Sequence, residues 1–241
     1  MIKFFRNIRK KLADENKFLA YSRYAIGEII LVVIGILIAL QVNNWNNNRL
    51  NKVKEKYFLS EIITNLKTDS LKLQGVLEFN QSKLEVTQNI MEIFIDTLSN
   101  KERLDIFFDN ADAFPRYELF RPKETAFKNL ITSENLNLIT NKNIRNLLID
   151  YYEFDYEKYQ ESIWIRTRIV VDNYFNYFTI KEKTPFSNSF PSLQNLKVHE
   201  DQKFYSDLFG LLKTIDYQTN FIKGTQFKNE EILSEINNFL H

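Results

Sequence analysis

The sequence predicts an all-α protein, with one N-terminal transmembrane helix followed by an extramembrane helical bundle. Three observations predict this. Only five Gly and four Pro occur in 241 residues, well below the ~7 % and ~5 % of average chains, so turn-rich β architecture lacks its punctuation. Twelve Ile, Leu and Val residues crowd positions 26–42. No segment alternates apolar and polar at period two for long enough to build a sheet, whereas helical spacing recurs through most of the remainder. At 28.8 kDa the chain is long enough for a real core.

Composition removes several chemistries. There is no Cys, hence no disulfide, thiolate metal site or cysteine nucleophile. Two His leave little for His-based catalysis or metal binding. Lys plus Arg total 32 against 31 Asp plus Glu, so no overall field points to nucleic acid. No cofactor and no metal are expected.

Residues 1–23 read as a basic cytoplasmic tail. Lys3, Arg6, Arg9, Lys10, Lys11, Lys17 and Arg23 face only Asp14 and Glu15, which leaves the rest of the +1 chain net negative. Positive-inside orientation follows, although Arg49, Lys52, Lys54 and Lys56 reduce the contrast. Ile2, Phe5, Ile8 and Leu12 share one helical face among the bases. This tail is either a membrane-surface helix on anionic lipid or a plain topology signal.

Residues 24–45 are the transmembrane helix. The apolar side chains contribute about −5 kcal/mol to insertion, more than the cost of Glu28 one turn inside the boundary. Tyr24 to Trp45 spans about 32 Å, close to the ~30 Å hydrocarbon core. Tyr21, Tyr24 and Trp45 take interfacial positions. The run exceeds a cleavable h-region, and its exit lacks a small-x-small site, so it reads as an uncleaved signal-anchor.

Residues 46–241 form the outer, periplasmic helical domain. Over residues 47–98, Val53, Tyr57, Leu66, Leu71 and Leu73 continue a helix outward, with Gly75 or Phe79-Asn80 as an interruption. A second amphipathic stretch runs from Leu84 to Leu98. Ser99 and Glu102 form a capped start for a short helix over Leu104–Phe108. Residues 111–122, with two Pro, are a loop, followed by short helices over 123–131 and 134–139. Asn141 caps a long helix over residues 142–180. Residues 183–198 are a loop, and two last helices cover 201–219 and 225–240.

The block YAIGEIILVVIGILIALQVNNWN, preceded by FFRNIRKKL, resembles a family of small, uncharacterised bacterial single-pass membrane proteins known only as a domain of unknown function. The stretch ETAFKNLITSENLNLITNKNIRNLLIDYY (residues 124–152) is similar to the same family's "L..S..L.LI.N..LR..L..YY" pattern. Where that pattern has a Gly-containing turn, this chain has Ser133-Glu134. The resemblance implies membrane anchoring and a helical outer domain. It implies no catalytic residue.

Among candidate sites, Glu28 is the sharpest. Ala25, Glu28, Val32, Gly35, Ala39 and Val42 share one helical face, and Gly35 with Ala39 forms a small-xxx-small pair that admits another backbone. Glu28 there is a packing or proton-binding candidate, or it snorkels toward the headgroups and Arg23. Asp150, Glu153, Glu157 and Glu161 form an acidic row, read as a solvated face or as partners of Arg166 and Arg168. The aromatic run from Tyr151 to Tyr159 is either bundle core or the lining of a ligand pocket. His199 lacks a second ligand apart from His241.

These readings point to a non-enzymatic, membrane-anchored interaction or scaffold protein, a subunit of an inner-membrane complex. Its expected partners are membrane lipid and a protein partner or second copy on the transmembrane face. A ligand-sensing ectodomain acting through a partner and a proton-linked subunit using Glu28 are the alternatives.

Overall fold

The computed structural model describes residues 18–175, 177–179, 192–193 and 198–241. The tail residues Lys3, Arg6, Arg9, Lys10 and Lys11 and most of the 183–198 loop lie outside the described residues, as do the side chains of Tyr21 and Tyr24. Two compact units divide the chain, Met1–Lys56 and Tyr57–His241. The architecture is all-α, apart from a two-residue antiparallel bridge between β1 (Phe178–Thr179) and β2 (Ser192–Leu193).

The first helix, α1, covers Phe18–Met91 without a break. Its first part is long and apolar enough to cross a membrane. The expected interruption at Gly75 or Phe79-Asn80 does not occur. A helical Gly costs about 1 kcal/mol, but Leu73 and Val76 on either side of Gly75 are buried in the core and hold the helix through it. The Asn80 amide donates to Thr219 Oγ1 at 3.2 Å rather than competing for its own backbone.

In the second unit, α2 (Asn100–Asn110) starts at the expected capping box. Ser99 Oγ accepts from the Glu102 N–H, and the Ser99 N–H donates to the Glu102 carboxylate. Next comes α3 (Thr125–Thr132), and then a single 3-10 turn, Leu136–Leu138, stands where a helix over 134–139 is expected. The difference lies at Glu134, whose φ is +56°. The Glu134 N–H donates to Ile131 O at 2.9 Å and the Asn135 N–H to Leu130 O at 3.0 Å. This paired closure of α3 requires a left-handed residue, so Glu134 ends one helix and cannot begin another. Asn141 caps α4 (Lys142–Tyr152), accepting from the Asn143 and Ile144 N–H groups.

The long helix expected over residues 142–180 is two helices, α4 and α5 (Tyr156–Phe175). Asp155 makes the break, because its carboxylate accepts the Lys158 N–H at 3.0 Å and starts α5 afresh. The Tyr156 hydroxyl donates to Tyr151 O at 2.9 Å, which satisfies an orphan carbonyl at the end of α4. The last helix shows the opposite difference. In place of two helices, α6 runs unbroken from Gln202 to Leu240, with Asp201 accepting the Phe204 N–H as its cap. Ile222, in the expected gap, is fully buried, and it carries the helix past Gly224.

On the three long helices of the second unit most buried positions follow a 3,4 alternation. On α1 they include Leu59, Ile62, Leu66, Asp69, Leu73, Val76, Asn80, Lys83, Thr87 and Ile90. On α6 they are Phe204, Leu208, Leu211, Ile215, Gln218, Ile222, Thr225, Asn229, Ile232 and Ile236. On α5, Tyr156, Gln160, Ile163, Thr167, Val170 and Tyr174 repeat it. This is the seam spacing of helices that supercoil with left-handed hand. Two apolar cores result, one around Leu66, Leu148 and Ile232, the other around Ile93, Phe107 and Leu208.

The left-handed Glu134 gives a first prediction. A non-Gly residue there carries a strain of about 1 kcal/mol that Gly does not. Glu134→Gly is therefore expected to raise the unfolding free energy by about 1 kcal/mol, and Glu134→Ala to leave it unchanged or lower it. Denaturant titration of the detergent-solubilised protein checks both.

Candidate functional site

On α1 of the first unit, Glu28 is half-buried, whereas Gly35 and Ala39 are exposed. A Cβ added at Gly35 would meet nothing within 4 Å, so the small-residue face is open to an approaching helix. Every large apolar side chain from Ile26 to Val42 is exposed, from 47 % at Val33 to 68 % at Leu31. Trp45 follows at 66 % exposure, with the Arg49 guanidinium 5.9 Å over its ring.

In the second unit the α4–α5 break turns aromatic side chains outward. Phe154, freed from helical geometry, stacks on Phe221 of α6 with ring centroids 5.7 Å apart. Tyr159 lies 4.4 Å from Phe221 and stacks on Tyr217 at 5.6 Å. Phe154, Tyr159 and Phe221 border a cavity of about 270 Å³ whose lining also includes Asp150, Tyr156, Gly224, Thr225 and Lys228. A shallower depression of about 610 Å³ adjoins it along Asp155, Lys158, Glu161 and Tyr217. Phe154 and Tyr159 line both, so they form one aromatic groove edged by carboxylates and lysines. The open space above Gly224 gives the groove room beside α6.

The acidic row is divided by the same break. Asp150 borders the cavity, Glu161 the depression, and the Glu157 carboxylate pairs with Arg121 Nε at 2.9 Å on the surface. Its expected partner Arg166 lies instead near Gly210. Among the described residues no group of three or more His, Asp or Glu is placed to hold a metal ion. His199 sits in the 3-10 turn Val198–Glu200, and its neighbour Asp201 is engaged by the Tyr177 hydroxyl and the α6 cap.

Buried polar side chains, unnoticed in the sequence, hold the helices in register. Asp69 is fully buried; its Oδ1 accepts the Lys123 N–H at 2.7 Å, and the Tyr151 hydroxyl makes a long 3.4 Å contact to Oδ2. The Asn229 amide donates to Leu66 O at 3.1 Å and to the Tyr151 hydroxyl at 3.2 Å. Gln160 clamps the segment before α3, giving and receiving 2.9 Å bonds with the Phe120 backbone. Burial pushes the Asp69 carboxyl up, against the lowering pull of the Lys123 N–H, and it pushes the Tyr151 and Tyr152 phenols up. The signal for all of them was available: each polar residue falls on a core position of the 3,4 repeat.

Lys83 is another, 3 % exposed, with its ammonium donating to Phe114 O and 4.8 Å from that residue's ring. Desolvation lowers its pKa to about 7. Between pH 7 and the ordinary lysine value the unfolded chain binds the proton that the folded chain has lost, so stability rises with pH. Asp69 acts in the opposite sense and at lower pH, its contribution fading as pH rises through its raised value. From pH 7 to 10 the unfolding free energy is expected to climb by as much as about 1.4 kcal/mol per pH unit. Lys83→Met is expected to remove that slope, which denaturant titrations at stepped pH measure directly.

No curated protein and no solved structure matches this chain. One family model does, over residues 28–209, and its description is a family of unknown function, DUF6090. That match takes in the apolar part of α1, the left-handed turn at Glu134, the α4–α5 break and the first turns of α6. The chain belongs to this family of unknown function.

Proposed function

We propose that the chain is a non-enzymatic, single-pass protein of a bacterial inner membrane, a scaffold or interaction subunit of a membrane complex. Residues 1–23 are cytoplasmic, 24–45 span the bilayer, and 46–241 stand outside. The observation that supports this most is the exposure of every large apolar side chain of α1 from Ile26 to Val42, with Glu28 the one charge among them. An apolar patch of that length is not left in water and calls for lipid or partner helices around it. Asp69, Lys83, Gln160 and Asn229, buried in the second unit, are engaged in holding helices and connecting segments in place, which favours a scaffold over a catalyst.

The absence of Cys makes the orientation easy to test. An impermeant maleimide applied to intact spheroplasts is expected to label Lys101→Cys and to spare Lys10→Cys until the cells are lysed; the reverse pattern overturns the orientation. A mild-detergent pull-down of the tagged full-length protein is expected to bring a stoichiometric partner or a homo-oligomer. A bare monomer overturns the scaffold reading.

A second reading, a ligand-sensing unit that acts through a partner, is favoured by the aromatic groove. On it, isothermal titration against metabolite panels gives a binding heat that Gly224→Trp abolishes, because the indole occupies the open space there. Uniform silence of the wild type removes this reading.

A further inference from the structure

We infer that α1 carries a second lipid-reading device just beyond its apolar segment, a one-sided basic stripe that selects anionic phospholipid headgroups in the leaflet where the helix emerges. The inference rests on the membrane-anchored reading above. Trp45, Arg49, Lys52 and Lys56 follow one another at spacings of 4, 3 and 4, so they share one face of the helix. All four are exposed. The one acid between Asn43 and Lys56 is Glu55, which is 4 % exposed and so presents no carboxylate to the surface.

Height and direction fit the headgroup layer. At 1.5 Å per residue, Arg49 stands about 6 Å and Lys52 about 10 Å above Trp45. The polar layer of a leaflet is about 5–8 Å thick. Helical side chains lean toward the helix N-terminus, and because this helix leaves the bilayer in the N-to-C direction, that lean points the long cationic stems back at the phosphates. The Arg49 guanidinium already lies over the ring of Trp45, one turn earlier on the helix. Lys56, about 16 Å up, acts through its field and comes closer if the helix tilts toward this face. Lys54 projects from the other side of the helix and serves as the built-in control.

A local probe keeps this stripe apart from the basic N-terminal tail, which the bilayer separates from Trp45. In a Trp164→Phe background the only other Trp is Trp45. The full-length protein is reconstituted in vesicles of phosphatidylcholine with phosphatidylglycerol, with bromine placed on the chains of one lipid or the other. Trp45 is expected to be quenched more by brominated phosphatidylglycerol than by brominated phosphatidylcholine at low salt, and the preference is expected to shrink at high salt. Each neutralised cation is expected to lower that preference by up to about fivefold, so Arg49→Gln with Lys52→Gln and Lys56→Gln abolishes it while Lys54→Gln preserves it. Equal quenching by the two lipids in the wild type overturns the inference, and so does an equal loss in the triple variant and in Lys54→Gln. Quenching by neither lipid has a different meaning: Trp45 is then not at a bilayer, and the membrane-anchored reading falls with the stripe.

Discussion

Everything in the second unit depends on three helices sharing one spacing. The second-unit part of α1, α5 and α6 each bury a residue alternately every three and every four positions, from Leu59 to Ile90, Tyr156 to Tyr174 and Phe204 to Ile236. A straight α-helix drifts away from such a repeat by about 20° per seven residues, so the helices must wind about one another to keep their seams in contact. The shorter elements pack on what that winding leaves open. Phe120, held by Gln160, and Phe127, stacked on Tyr152, close one core; Phe107 and Phe114, both against Tyr174, close the other.

Apolar seams alone leave the register free, since one leucine layer resembles the next. The polar residues on the seam remove that freedom. Asn229 has one position in which its amide meets both Leu66 O and the Tyr151 hydroxyl, and Asn80 one in which it meets Thr219. Asp69 and Lys83 do the same for the connecting segments, whose backbone atoms at Lys123 and Phe114 they bind. A shift by one layer would leave each of these groups buried without a partner, at a cost of about 1–3 kcal/mol apiece. Stability is given up at Lys83 and Asp69, whose charged forms burial disfavours, and one arrangement is specified in return.

How much of this was legible in the sequence varies by element. Local signals read well: the Ser99–Glu102 capping box, the Asn141 cap and the apolar run of α1 each depend on residues close together in the chain. The errors arose where tertiary packing or a single side chain overrode local propensity. Gly75 suggested a break in α1 and a gap was expected at 220–224 in α6, but the buried residues beside these positions hold both helices continuous. Asp155 suggested nothing inside an aromatic run, yet its carboxylate starts a new helix. The groove drew three of its rings, Phe154, Tyr156 and Tyr159, from a visible run, and the other two from Tyr217 and Phe221, which lie about sixty residues away and announce nothing by themselves. The membrane-face candidates Glu28, Gly35 and Ala39 occupy α1 as their spacing required, and their roles rest on the proposals above.

The order in which the chain is made bears on the seams. Asn229 reaches back 163 residues to Leu66, and Asn80 reaches forward 139 to Thr219. Contacts so far apart in sequence form late, after the entropy of closing a long loop has been met. During synthesis the α1 seam is complete while its partner α6 does not yet exist, so Leu59, Ile62, Leu66 and Leu73 stay uncovered for the whole interval. The emerging chain is thus most vulnerable to aggregation along the second half of α1, and a holding chaperone has most to protect there.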